Sequence, residues 1–228
     1  MKFLKHFLFI QLIFFSVAQS FAGKRDKLSH FNLGINYTFS FPYDEDFEKN
    51  DYRLSHGTGL SFSTYNDKGW GYTSGIYYSN IISKFKIDFT EYLERNPSAP
   101  GWMTDTTLKA GNFKNVKHFL EIPLLMNYTF KLKKYNLKLD LGYTVTYILG
   151  NNSKGTYEYL NGNIENVKLF YHLPNERFCL YPTFSVGFEK MFKNCNVLFS
   201  PSLRWGIRRH SNYDWLLGFT LGINKSLG

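Results

Sequence analysis

The chain has 228 residues, enough for one domain rather than two. Its two cysteines exclude a disulfide scaffold. The net charge of +9 gathers in short clusters (Lys131, Lys133 and Lys134; Lys84 and Lys86; Arg208 and Arg209), not in a stripe that would track nucleic acid.

Those clusters read as solvated rims and turns, with contact to anionic lipid headgroups as the alternative. Aromatic residues are 19% of the chain, more than one soluble core needs. They suit pleated strands and a membrane–water interface.

Residues 1–22 read as a cleaved signal peptide. Lys2 and Lys5 form the positive start, 7–17 the apolar core, and Ser20-Phe21-Ala22 the cleavage site before Gly23. The apolar run is short for a spanning helix, which would be the competing reading. No Cys follows the cleavage site to carry a lipid anchor. Residues 23–228 are then a single domain. No later stretch is long and apolar enough for a spanning helix, so the mature chain either stays soluble after export or crosses a membrane as strands.

Period-two alternation recurs along the chain. In 31–40 every odd residue is apolar and every even one small or polar. Segment 54–65 sets Leu60 and Phe62 against Gly57, Gly59, Ser61 and Ser63. Segment 70–85 sets Trp70, Tyr72, Ile76 and Tyr78 against Gly71, Thr73, Gly75 and Ser79. Segments 119–130 and 137–149 carry Leu120, Ile122, Leu124 and Leu139, Leu141, Tyr143 opposite Glu121, Lys138 and Asp140. Segments 178–192, 197–208 and 215–224 repeat the pattern, with Glu189, Arg204 and Arg208 on the small-residue face.

Most of these eight segments exceed the five or six residues typical of soluble strands and suit a tilted bilayer crossing. Turns at 66–69, 131–135 and 193–196 alternate with longer links at 42–51, 87–115 and 150–177; the final link, 209–213, is short. A hairpin around Asn161-Gly162 would project two strands beyond the barrel or raise the count to ten. The expected fold is all-β: a single eight-stranded antiparallel up-and-down transmembrane barrel, with short periplasmic turns and long extracellular loops.

A soluble barrel or sandwich would show the same alternation with its apolar face inward. Here the second face is rich in Gly, Ser, Thr and Asn, which suits the crowded lumen of a narrow barrel. Lipid then covers the apolar face. Trp70, Tyr72, Tyr128 and Phe130 would form one aromatic belt, and Tyr147, Phe178, Trp205 and Trp215 the other.

The inward charges Glu121, Lys138, Asp140, Glu189, Arg204 and Arg208 must be paired or wetted. Placing Leu149 opposite Phe178 sets Lys138 opposite Glu189, and Glu121 and Arg204 lie at similar heights. They form either a plug of ion pairs or a polar conduction path. Pro123 marks a bulge or local opening. Cys179 and Cys195, at opposite ends of one strand, are expected to be free thiols.

The six histidines show no metal spacing, and no nucleophile or phosphate motif occurs. His172, His210, Ser211 and Asp214 lie in or beside loops without a catalytic pattern. Neither cofactor nor enzymatic activity is expected. The expected partners are outer-membrane lipid and, through loops 87–115 and 150–177, other envelope proteins; the chain is expected to be a monomer.

The run Phe119-Leu120-Glu121-Ile122-Pro123-Leu124-Leu125-Met126-Asn127-Tyr128 resembles a mid-chain strand of the PorT-like, porin-family outer-membrane β-barrel proteins of Bacteroidetes. The resemblance implies an eight-stranded outer-membrane barrel. It implies little about function beyond one branch associated with protein secretion and gliding. The expected role is structural or interactive, with solute passage or service in a secretion system as alternatives.

Overall fold

The computed structural model describes residues 30–43, 52–89, 108–169, 178–193, 195–206 and 215–227. The expected signal peptide, Arg208, the final link, and His172, His210, Ser211 and Asp214 lie outside them.

Among the described residues nine strands form one antiparallel sheet: β1 (His30–Tyr43), β2 (Tyr52–Tyr65), β3 (Trp70–Asp88), β4 (Leu108–Lys131), β5 (Tyr135–Tyr159), β6 (Ile164–Leu169), β7 (Phe178–Met191), β8 (Asn196–Trp205) and β9 (Trp215–Ser226). Eight close a ring. Each strand of the run β9-β1-β2-β3-β4 pairs with the next, β4 pairs with β5, and the circuit returns through β7 and β8 to β9. β6 stands outside the ring and pairs only with the far end of β5.

Alternation decides which way each side chain points. On β1, Asn32, Gly34, Asn36 and Ser40 are buried inside the ring, whereas Phe31, Leu33, Ile35, Tyr37 and Phe41 are exposed outside. The same inversion runs round the wall, with Leu60, Ile76, Leu141, Leu217 and Ile223 each more than half exposed. An apolar surface of this extent is not tolerated in water but is solvated by hydrocarbon. The outward run of β5 from Leu137 to Leu149 covers about 40 Å along the strand, or about 30 Å of height at a tilt of about 40°.

Turns at one end are tight. Asn66 N–H donates to Trp70 O (2.8 Å), and Gly69, at φ 93°, supplies a left-handed position that other residues resist. Gly71, the second residue of β3, sits where the neighbouring strand leaves no space: an added Cβ would lie 1.7 Å from Thr64 O and 2.7 Å from the Tyr65 Cα.

The other end differs from the sequence expectation. Much of the expected loops 87–115 and 150–177 is strand: β4 starts at Leu108, β5 continues to Tyr159, and β6 returns from 164 to 169. β3, β4, β5 and β6 therefore continue beyond the barrel as a four-stranded extension. The expected hairpin at Asn161-Gly162 is present, with Gly162 at φ 83°, and it adds a ninth strand outside an eight-stranded ring.

The extension has its own core of Phe89, Leu108 and Phe113, packed by Phe85, Ile87, Tyr157, Tyr159 and Val167. This core lets strands with few lipid-facing residues persist outside the barrel.

A β-bulge marks the boundary. His118 pairs with Gly150 and Phe119 with Ile148, leaving Leu149 as an extra residue on β5. Beyond it, β5 exchanges its faces. Of the bulge or local opening expected at Pro123, the structure has no register shift but does have a local opening of the ladder. The partner of Pro123 in β5 is Thr144 in continuous register, while the β3–β4 ladder is interrupted opposite it, between Ser74 and Tyr77.

Substitution Gly71→Ala is expected to destabilise the barrel by about 1–3 kcal/mol, because rigid backbone must move to admit the methyl group. Gly150→Ala, which meets nothing within 4 Å, is expected to be near neutral. The temperature at which the compact band disappears in a gel-shift melt reads both.

Candidate functional site: a closed polar lumen

The inward faces meet in layers. Nearest the short turns, Glu189 accepts hydrogen bonds from Asn136 Nδ2 (3.1 Å) and Asn224 Nδ2 (3.2 Å). The expected partner Lys138 is elsewhere. The ladder sets Tyr147 opposite Phe178, so Glu189 faces Asn136 and Lys138 faces Gly187. The register is shifted by two residues from the expected one, a displacement that keeps every side chain on its own face.

In the next layer Lys138 Nζ donates to Thr73 Oγ1 (2.6 Å) and lies 3.4 Å from Asp140 Oδ1. Asp140 also accepts from Thr73 Oγ1 and Ser185 Oγ, both at 3.0 Å. Asn127 Nδ2 donates to Thr73 Oγ1 at 3.0 Å. Across the barrel, Asn36 Nδ2 donates to Ser61 Oγ and to the Tyr77 hydroxyl, both at 2.8 Å.

Above them Arg204 Nη1 donates to Glu121 Oε2 at 2.7 Å, and Ser79 Oγ donates to Glu121 Oε1 at 2.7 Å. The carboxylate is buried and its guanidinium nearly so. Glu121 and Arg204 are 83 residues apart, and only ring closure brings them together. A charge sealed in such a lumen costs several kcal/mol unless it is paired and hydrogen-bonded, as both are here.

Sequence reasoning missed the last layer. Ile81, Phe119, Ile148, Cys179, Tyr181 and Leu216 point inward at the extension end and close over the polar layers as one apolar cluster. The signal was present, since each continues the inward parity of its strand. It was obscured because apolar residues there interrupt the small-residue pattern. Below this cap a cavity of about 70 Å³ remains, lined by Asn36, Tyr77, Lys138, Asp140 and Arg204 among others. That is room for about two waters at roughly 30 Å³ each.

Outside, Trp70 packs edge-on against Tyr128 (4.8 Å between ring centres), and Tyr128 against Phe130 (4.6 Å). Tyr147 and Phe178 meet at 4.8 Å, and Trp205 is paired with Trp215 in register. These rings lie at the two ends of the wall. Tyr72 does not join the exposed belt; it is buried with Phe62, Ile122 and Leu124. Cys179 and Cys195 are both free thiols. Among the described residues no three His, Cys, Asp or Glu gather as metal ligands.

A closed antiparallel ring with a hydrogen-bonded polar interior and an apolar, aromatic-rimmed exterior defines a transmembrane β-barrel. Residues 17–227 match the outer membrane protein beta-barrel domain, and the chain belongs to that family. Its place is the bacterial outer membrane.

Solved structures similar to the chain include three bacterial proteins. Ail of Yersinia pestis is 13% identical, with 87% of this chain and 98% of that chain covered and a TM-score of 0.36. Neisserial surface protein A is 8% identical, with 86% and 96% covered and a TM-score of 0.43. The N-terminal barrel of Pseudomonas aeruginosa OprF is 10% identical, with 88% and 99% covered and a TM-score of 0.32. Likenesses this distant carry no functional argument. No curated protein matches the sequence.

Replacing Glu121 by Leu leaves the Arg204 charge enclosed and is expected to cost about 3–5 kcal/mol. The double variant E121L/R204L is expected to recover much of that loss. Urea unfolding in lipid vesicles, followed by tryptophan fluorescence, measures the coupling.

Proposed function

We propose that this protein is a closed, non-catalytic outer-membrane barrel that acts by contact. In this reading its short turns lie in the periplasm, and its sheet extension and long links lie outside the cell. The observation that carries the reading is the filled lumen. Ion pairs and hydrogen bonds occupy it in three layers, an apolar layer caps it, and the cavity lined by Asn36, Tyr77, Asp140 and Arg204 has a volume of about 70 Å³. A solute path would require Glu121 to part from Arg204 and the cap to open. The extension, by contrast, presents new surface beyond the membrane on its own hydrophobic core.

The 119–128 run supports a likeness to the PorT-like, porin-family barrels of Bacteroidetes as a group and does not single out their secretion and gliding branch. A secretion partner, if present, would meet the same extension.

Planar-bilayer recording tests the closed lumen. The wild-type barrel is expected to show no steady conductance, and the quadruple variant E121A/K138A/D140A/R204A to show discrete steps. A stable wild-type channel abolished by bulky substitutions at the lumen wall overturns the reading.

A further inference from the structure

One feature of the extension works against its own stability. Lys84 of β3 lies directly opposite Lys114 of β4, Lys114 opposite Lys154 of β5, and Lys154 opposite Lys168 of β6. Four lysines thus form one unbroken row across four strands. Neighbouring strands are about 4.8 Å apart, so the row spans about 14 Å. Like charges directly opposite on one sheet face repel and destabilise it.

All four side chains are exposed. Among the described residues none of the four makes an ion pair. On the same face, Glu158 is engaged by Lys109 at 2.6 Å. That hydrogen bond and the ammonium charge hold the Glu158 carboxyl below its ordinary pKa. It is therefore already committed and does not neutralise the row.

The row has a defined position. Ile76 and Tyr78 point to lipid on β3, and the same parity continues through Ile82 to Lys84. On β4 it runs from Leu120 through Val116 to Lys114. On β5 the bulge at Leu149 is what turns Lys154 onto this outer face. Asn80, His118 and Asn152 are the first polar residues past the apolar belt on this face, and the lysines follow two to four residues further out, on the same outer side of the sheet. A cleft of about 470 Å³ opens on the row, lined by Lys84, Lys86, Lys114, Lys154, Asn112 and Asn166.

We propose that this lysine row binds the phosphorylated saccharide headgroup of an outer-leaflet lipid. Two phosphates on a disaccharide can be shared among ammonium groups spaced along about 14 Å, while the acyl chains lie on the apolar wall below. Asn112 and Asn166 offer hydrogen bonds to sugar hydroxyls in the same cleft. The lipid-side orientation favours a membrane lipid over a soluble polyanion. The proposal deepens the contact reading and rests on the orientation given there, but not on the closed lumen.

Native mass spectrometry of the detergent-solubilised full chain tests it, with diphosphorylated lipid A, its deacylated disaccharide diphosphate and a heparin oligosaccharide as probes. Lipid A is expected to bind in a salt-sensitive manner. The variant K84Q/K114Q/K154Q/K168Q is expected to weaken binding at least tenfold while melting at a higher temperature than wild type in neutral detergent, because the repulsion is gone. If that variant fails to fold, K114Q/K154Q carries the same comparison.

Binding unchanged by the substitutions overturns the site. Equal or tighter lysine-dependent binding of the deacylated disaccharide or of heparin overturns the lipid assignment. Protease shaving of intact cells reads the orientation separately: cleavage within 150–169 supports it, and protection there refutes it even if purified protein binds lipid A.

Discussion

Hydrocarbon offers no hydrogen bonds, and the rest of the structure follows from that. Every backbone N–H and C=O at membrane depth must find a partner within the chain. Eight antiparallel strands satisfy this only when the β4–β5 pairing closes the sheet into a ring. Closure then fixes two environments, a hydrocarbon exterior and a narrow interior, and every strand must present one face to each. Ile35, Leu60 and Leu141 are exposed because lipid is their solvent, whereas Asn36, Ser61 and Asp140 are buried because the lumen is theirs.

The interior then has an electrostatic problem of its own. Small residues let the walls approach, so the few charges that point inward are cut off from bulk water. Glu121 pairs across the ring with Arg204, and Asp140 pairs with Lys138 two residues away on β5, each carboxylate also receiving hydroxyl donors. Glu189 is held instead by two asparagine amides. These contacts fill the space that a channel would need, and the apolar layer of Phe119, Ile148 and Tyr181 seals the extension end.

Beyond the membrane the physics reverses, and the bulge at Leu149 is the pivot. One extra residue exchanges the faces of β5, so that Ser153 and Tyr157 point inward and Lys154 points outward. The strands continue as a sheet with one apolar face, packed around Phe113, and one cationic face. Charges that would be excluded from the belt are placed in a row beyond its edge. The lumen satisfies its charges with internal ion pairs and hydrogen bonds, whereas the four lysines of the extension's row make no ion pair among the described residues.

The alternation of 31–40 and 137–149, with small residues on one side, determined the strands, their two faces and the lipid-facing identity of the bulky set. Period-two patterning is local, so it is legible without knowing any partner. The sequence also placed Glu121 and Arg204 at similar heights. What only the tertiary structure decided was register and continuation. Lys138 was expected opposite Glu189, but the ladder sets it opposite Gly187, and a shift of two is invisible in a pattern that repeats every two residues.

Stretches 108–118 and 150–159 carry lysine, asparagine and glycine on the face that would otherwise meet lipid. They lack the amphipathic mark of a membrane strand and read as loop. Their strand structure comes from cross-strand partners about 40 residues away and from a shared core of Phe85, Phe113 and Tyr157. The alignment of Lys84, Lys114, Lys154 and Lys168 has the same origin. Four residues scattered over 85 positions become neighbours only when three ladders are in register.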